Sequence, residues 1–514
     1  MKVHSNPESA LVIAVHYEPS GVDPHINAAE LGLQMTMGVF DTLVYKTGDG
    51  RFWPYLAERW EISADELTYR FMLRQDVSFH DGTHFDAAAM KFSLDRARDP
   101  QNKSQLAGSM LGPYIGSSVV DEYTLEVRLG EPYGQLLDML SQGWLAPVSP
   151  SAVRLLGNDF RRHPVGTGPF IFDSWAPGKG IRLRRNPGYC WPPHVVANRG
   201  TAHVADVSFV FMEKGSDRTT ALESGQVNGV FYVAPEDAAG LRADQRFTVR
   251  TWPIGGVPVC LMLNTSRAPT DDILVRQALA CAIDQDAIVQ EVFRGEFPPA
   301  RGPIAQSTLG YAEAVEAYHL KSLERANELL DAAGWAHRNA AGVRQRDGAL
   351  LQLVFWALPV NYYPDFGRLV CNQLGDVGIA VDVQIKTPGE WISGADAGRH
   401  HMVPQGKYTS GPQILSYIHH SRASRGSYGW TKRSADYPAE LDGLLEQGEQ
   451  ARDPQDYLRV YARAQESIMR EALIVPLHCN TNIVALARGI TGLSFDAIGA
   501  YPLLHDVRVE GVEE

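Results

Sequence analysis

The chain has 514 residues, 44% hydrophobic and 21% charged, with 47 lysines and arginines against 60 aspartates and glutamates and a formal net charge of −13. So acidic a chain excludes nucleic acid and anionic membranes as partners, because both require a basic face that displaces counterions. The length allows two or three domains at roughly 100–200 residues each.

No run approaches the ~18 apolar residues of a membrane span, and the start, Met1-Lys2-Val3-His4, lacks the apolar stretch of a signal peptide. That leaves either a cytoplasmic protein or an exported one whose signal has been removed. Five isolated cysteines, Cys190, Cys260, Cys281, Cys371 and Cys479, show no CxxC spacing, and their odd number leaves at least one unpaired.

Strict alternation over Leu67–Arg74 puts Leu67, Tyr69, Phe71 and Leu73 on one face and predicts a half-buried strand. Leu125–Leu129 reads the same way. Val165-Gly166-Thr167-Gly168-Pro169-Phe170 resembles a phosphate loop only superficially, because proline has no N–H to donate; a tight turn into a strand is expected. Val207/Phe209/Phe211 predicts another strand. Thr270 is the expected cap of a helix opening at Asp271-Asp272. Ser322 precedes Leu323, Ala326, Leu329, Leu330 and Ala333 at helical spacing, with Gly334 at the position that ends such a helix. Ile379/Val381/Val383/Ile385 predicts a strand. Asp453-Pro454 supplies a cap and an N1 proline for a helix with Tyr457, Tyr461, Ala464 and Ile468 on one face. This interleaving indicates a mixed α/β protein.

Catalytic spacings are scarce. There is no GxSxG, P-loop or HExxH. His400-His401 and His419-His420 are adjacent pairs, without the i,i+4 spacing that aims two imidazoles from one helix face at a metal. His478-Cys479 is the remaining nucleophile candidate, and a metal- or Cys/His-dependent hydrolase is the reading it would support. The aromatic residues carry more. Trp356, Tyr362 and Tyr363 are expected in a loop after a strand. Arg425, Tyr428 and Trp430 place a guanidinium beside two rings in a Gly/Ser-rich loop, suited to bidentate anion binding and to stacking.

Leu56-Ala57-Glu58-Arg59-Trp60, Tyr69 through Gly82, and Phe85-Asp86-Ala87 resemble the signature of family 5 extracellular solute-binding proteins, the dipeptide, oligopeptide, nickel and opine receptors of bacterial ABC importers. Ser20 through His25, Pro164 through Phe170, Arg276-Gln277-Ala278-Leu279 and Ala332-Ala333-Gly334-Trp335 are similar in the same order. The resemblance implies an α/β, type II periplasmic-binding-protein clamshell without catalysis or cofactor. Its first lobe would be residues 1–250, with an extra subdomain at about 40–165 and a return at 478–514; its second lobe would be 251–477. Hinge crossovers would fall near Thr251-Trp252-Pro253 and Val475-Pro476-Leu477. It further implies a periplasmic monomer, signal removed or lipid-anchored, that closes on a solute and delivers it to permease subunits.

Ligand class follows from departures within the resemblance. In dipeptide receptors the loop matching Trp356 through Tyr362 ends in an arginine for the peptide carboxylate, and an aspartate for the peptide amine stands where this chain has Gly411. An ammonium buried without its carboxylate costs about 3–5 kcal/mol. Nickel-chelate receptors carry an arginine around the segment Ser141 through Ala146, and none is here, although Arg425, Tyr428 and Trp430 are similar to an arrangement in metallophore receptors. The reading is a small polar solute: an opine, a sugar derivative or a modified peptide. A metal chelate and an oligopeptide are the alternatives. The site residues expected are Arg425, Tyr428, Trp430, Tyr408, Tyr362, Asn361, Trp356, Trp144, Asn27 and Tyr17.

Overall fold

The computed structural model describes residues 10–26, 30–102, 104, 106–358, 362–387, 390, 391, 394, 397–421, 439–451 and 453–510. The chain divides into two compact units, Met1–Trp252 with Asn482–Glu514, and Pro253–Thr481.

The first unit is built on a seven-stranded sheet in the order Phe247–Pro253, Thr481–Ala487, Gly229–Val230, Ala10–Val15, Asp206–Phe211, Gly180–Arg185, Phe170–Ala176. Ala10–Val15 lies parallel to Asp206–Phe211 and to Gly229–Val230, so three strands present their carboxyl ends at one edge. Leu11, Ile13, Val207, Phe209, Phe231 and Val484 fill the core beneath. A separate four-stranded antiparallel sheet, Ala57–Ile62, Thr68–Leu73, Thr124–Leu129 and Tyr114–Asp121, is covered by the Ala87–Arg98 helix. The alternation of its Thr68–Leu73 strand buries Tyr69, Phe71 and Leu73 together.

The glycines of Val165–Phe170 are there because backbone passes too close for a side chain. A Cβ on Gly166 would lie 2.2 Å from the Val39 carbonyl, and one on Gly168 would lie 2.5 Å from the Gly38 carbonyl. Thr167, between them, donates at 2.9 Å to the buried carboxylate of Asp41, which also accepts from Tyr55, Tyr189 and Trp191. The segment is therefore a packed turn, followed by the Phe170–Ala176 strand.

The second unit has a five-stranded sheet ordered Ala380–Ile385, Gln352–Ala357, Met402–Tyr408, Gly256–Leu263, Ile474–His478. The central Gly256–Leu263 strand is buried along its whole length and reads as a continuous apolar run, as a strand covered on both faces must. Leu261 and Leu263 point into one core cluster, and Cys260 and Met262 into another. A register shift between Val257 and Cys260 absorbs Pro258, which has no N–H for the ladder.

Helix ends follow local chemistry. Ser322 accepts from the Arg325 N–H at 3.1 Å and opens the Leu323–Ala332 helix. Asp453 accepts from Gln455 and Asp456, each at 2.9 Å, and opens Pro454–Arg470. Thr270 is not a cap. Its hydroxyl donates to the Asn264 and Arg267 carbonyls, and Asp272 takes the role by accepting from the Leu274 N–H at 2.9 Å, so the helix begins at Ile273. All five cysteines are thiols.

Candidate functional site

In open α/β sheets, ligands gather at the carboxyl ends of parallel strands. In the first unit the chain leaves those ends through His16-Tyr17, Met212-Glu213 and Phe231-Tyr232. Arg218 ties two of them together: its guanidinium donates to the carbonyls of Met212, Glu213 and Tyr232, each at 2.8 Å. Tyr232 has φ of 55°, a left-handed conformation that a bulky residue adopts only when its surroundings over-determine it. Those surroundings are Asn482, whose Oδ1 accepts from the Tyr232 N–H at 3.2 Å, and Gln34, whose amide donates to the phenol oxygen at 3.2 Å. The His16 ring stands edge-on to Tyr232 at 4.9 Å and to Tyr17 at 4.8 Å.

Burial, reinforced by the Arg218 charge, lowers the His16 pKa to about 4, so the ring is neutral at physiological pH. Its Nδ1, the Gln34 Oε1 and the Asn482 Nδ2 are buried without a hydrogen-bond partner from the protein. Buried polar atoms of this kind are costly unless something else completes them. Tyr17 was expected at the site and stands here, 40% exposed. His16, Gln34, Tyr232 and Asn482 were not anticipated. Trp144, also expected, is buried in the short 3-10 turn Gly143–Leu145.

In the second unit the parallel strands Gln352–Ala357 and Ala380–Ile385 end together, and Met402–Tyr408, which starts opposite Phe355, runs four residues farther. Tyr408 closes its strand opposite Gly256, whose φ of 116° and added-Cβ distance of 2.1 Å to the Lys407 carbonyl admit only glycine. Thr409 and Ser410 follow, both buried. At Gly411 an added Cβ would lie 2.4 Å from the Gln413 Oε1, which accepts from the Tyr457 hydroxyl at 2.9 Å. The segment is packed around the missing side chain.

Two expected loop residues are placed differently. Trp356 is the penultimate residue of a strand, 3% exposed, with its indole N–H donated to Gln384 and the Lys386 ammonium 5.3 Å from its ring centre. The continuous apolar run Leu353 through Ala357 carries the strand through it, as in a strand covered on both faces. Tyr363 opens the Tyr363–Asp376 helix, and Tyr362 occupies the N-cap position with its ring edge-on to Phe293 at 5.1 Å. Arg425, Tyr428, Trp430, Asn361 and Asn27 lie outside the described residues.

The histidine pairs have structural partners. His401 Nδ1 accepts from the Val354 N–H at 2.7 Å, and its Nε2 donates to the Ala268 carbonyl at 2.9 Å. His420 contacts the Glu446 carboxylate at 3.1 Å. His478 is packed against Phe293, Phe297 and Phe366, whereas Cys479 donates to Gln306 and packs with Ala300 and Ala305. Burial pushes the Cys479 thiol up to about 12, the opposite of what a nucleophilic thiolate requires.

Comparison with known proteins places this geometry. The family model of bacterial extracellular solute-binding proteins, family 5 Middle, matches residues 51–429. The glutathione-binding protein GsiB of Escherichia coli O1:K1 / APEC is 26% identical over 498 residues, 94% of this chain and 91% of that protein. NikA from Brucella suis, solved with Fe(III)-EDTA, superposes with a TM-score of 0.86 at 21% identity, covering 98% of this chain and 100% of that one. AgaA from A. tumefacien R10, solved with agropinic acid, gives 0.79 at 24% identity, covering 98% and 99%. The fold these structures share with the chain is the two-lobed type II fold of periplasmic binding proteins.

Proposed function

Because the chain belongs to family 5 of the bacterial extracellular solute-binding proteins, we propose that it is the periplasmic solute-capturing protein of an ABC importer, a monomer that hands its cargo to permease subunits. The cargo is a small, polar, amino-acid-derived anion, a modified peptide of the glutathione kind or an opine. The observation that carries this reading is the end-to-end likeness to a glutathione-binding protein. The packing at Gly411 bears on the solute's amine, which glutathione carries as a dipeptide does, so it weighs toward the opine. An aspartate there would have to displace Gln413 from its bond with Tyr457, so the carboxylate that peptide-receptor resemblance calls for has no ready place. In this reading Tyr408 contacts the solute, Arg425 pairs with its carboxylate, and Tyr428 and Trp430 stack against it.

A thermal-shift panel tests this. Glutathione, agropinic acid, alanyl-alanine and Fe(III)-EDTA are each added to the purified protein. A solute at ~100 times its Kd adds about 2.7 kcal/mol of stability, an upward shift of several degrees. Glutathione or agropinic acid gives that shift and alanyl-alanine does not. A shift with alanyl-alanine or Fe(III)-EDTA alone moves the assignment to a peptide or chelate receptor.

A further inference from the structure

A cavity of about 550 Å³ lies in the second unit, over one face of the Gln352–Ala357 and Ala380–Ile385 strands. Strand alternation sends Leu353 and Phe355 into the core on one side and leaves Val354 and Trp356 as the cavity floor on the other. The register pairs Trp356 with Gln384 and Val354 with Asp382. The floor's polar groups are satisfied among themselves: Trp356 donates to Gln384 at 3.2 Å, and the Gln384 amide donates to Asp382 at 2.7 Å.

The walls differ from the floor. Lys386 stands at one end with its ammonium over the Trp356 ring, and Arg267 and Arg399 stand at the other. The arginine end is braced. Arg267 donates to the Arg399 carbonyl, and the Asn264 amide donates to the Gly398 and His400 carbonyls at 3.0 and 2.9 Å. Glu390 is the acidic wall residue, and its carboxylate is engaged by the Thr387 N–H and hydroxyl at 2.9 and 2.8 Å. The Thr387 hydrogen bonds, to which the Lys386 charge adds, hold the Glu390 carboxyl below its ordinary range, and among the described residues neither Arg267 nor Arg399 forms an ion pair with a carboxylate. Three cations against Glu390 in the wall and Asp382 at the floor leave this cavity with a positive balance in a chain of net charge −13, which favours a negative occupant.

We propose that this cavity is a binding site for a small organic dicarboxylate, distinct from the Tyr408 position assigned to the transported solute. Lys386 bonds through its backbone beside Ala357, and Arg399 lies two residues before His401, which bonds to Val354, so the basic residues come from opposite ends of the floor and an occupant with a carboxylate at each end meets both. Arginine pairs with one carboxylate in its planar fork, and the lysine ammonium meets the other as a point charge. An inorganic oxyanion reaches one end only.

Calorimetric titration with succinate, acetate and inorganic phosphate tests the proposal, with circular dichroism to confirm that each variant is folded. Succinate binds one-to-one. Lys386→Gln and Arg399→Gln each weaken it by roughly ten-fold or more, as loss of a charge-assisted contact does, and acetate and phosphate bind less tightly than succinate. Absence of saturable succinate binding to folded wild type, unchanged affinity in both variants, or phosphate binding as tight as succinate overturns it.

Discussion

Acidification from pH 7.5 to 5.0 lowers the melting temperature of each unit by roughly 10–20 °C, because the fold holds three histidines of the first unit and two of the second neutral. Burial lowers the pKa of His16, His25, His80 and His401 to about 4 and that of His478 to about 3. Neighbouring positive charge adds to the effect at His16 and His25, from Arg218 and Arg96. His25 shows how the neutral form is fixed: Nδ1 accepts from Arg96 at 3.0 Å and Nε2 donates to the Ala146 carbonyl at 2.9 Å, so the ring carries one proton. Once unfolded, each ring titrates near 6.5 and gains a proton that the folded state refuses. The stability they permit is therefore complete above pH 6.5 and is lost as pH falls toward 4, at about 1.4 kcal/mol per pH unit for each group. At pH 5 that is about 2 kcal/mol per histidine and roughly 10 kcal/mol for five, the scale of a whole domain's stability.

Asp496 works against this. Burial raises its pKa to about 6, so its buried carboxylate destabilises the fold at neutral pH and the penalty disappears as pH falls through 6 toward its unfolded value. One such group offsets about one histidine. Thermal melts by circular dichroism across pH 5.0–7.5 read the sum. His478→Phe, which places a ring among Phe293, Phe297 and Phe366 without two unpartnered nitrogens, flattens the slope and raises stability at neutral pH by about 1–3 kcal/mol. A melting temperature constant over that range would show that these rings titrate normally in the fold.

Arg96→Ala destabilises the first unit by about 3–5 kcal/mol, read as a lower urea midpoint for that unit. The Arg96 guanidinium meets Asp23 in a two-pronged pair at 2.9 and 2.5 Å, with both side chains buried, and it also lies over the Phe160 ring at 5.5 Å. Removing the arginine leaves the Asp23 carboxylate in low dielectric, accepting from the His25 backbone N–H at 3.0 Å. Arg96→Ala combined with Asp23→Asn loses less than the two single changes summed, since the stranded charge is gone. Full additivity would mean that the pair is not coupled.

That network explains why the family resemblance was legible. Ser20 through His25 carries Asp23 and His25, and Pro164 through Phe170 carries Thr167 and two glycines pressed against residues 38–39. These motifs report packing, so they identify the fold and say little about cargo. Helix caps and alternating strands were legible for the same local reason, as at Ser322, Asp453 and Thr68–Leu73. Thr270 failed as a cap because a tertiary partner, the Asn264 carbonyl, claimed its hydroxyl first.

The strand-end cluster was not legible. Tyr232 depends on Gln34, 198 residues away, on Asn482, 250 residues away, and on Arg218 of the Gly215–Glu223 helix that precedes its strand. No local pattern marks a left-handed tyrosine or a histidine whose neutrality is set by tertiary burial. Trp356 illustrates the converse: an aromatic residue beside a loop reads as a stacking surface, yet the continuous apolar run Leu353 through Ala357 already implied a strand covered on both faces.

Calorimetric titration of glutathione and agropinic acid, against alanyl-alanine, into wild type and into Arg425→Ala and Trp430→Ala tests the solute assignment most directly. The account predicts saturable one-to-one binding of glutathione or agropinic acid, weakened by roughly ten-fold or more in each variant, with no comparable binding of the dipeptide. Tightest binding by alanyl-alanine, or affinity for glutathione and agropinic acid unchanged in both variants, would contradict it.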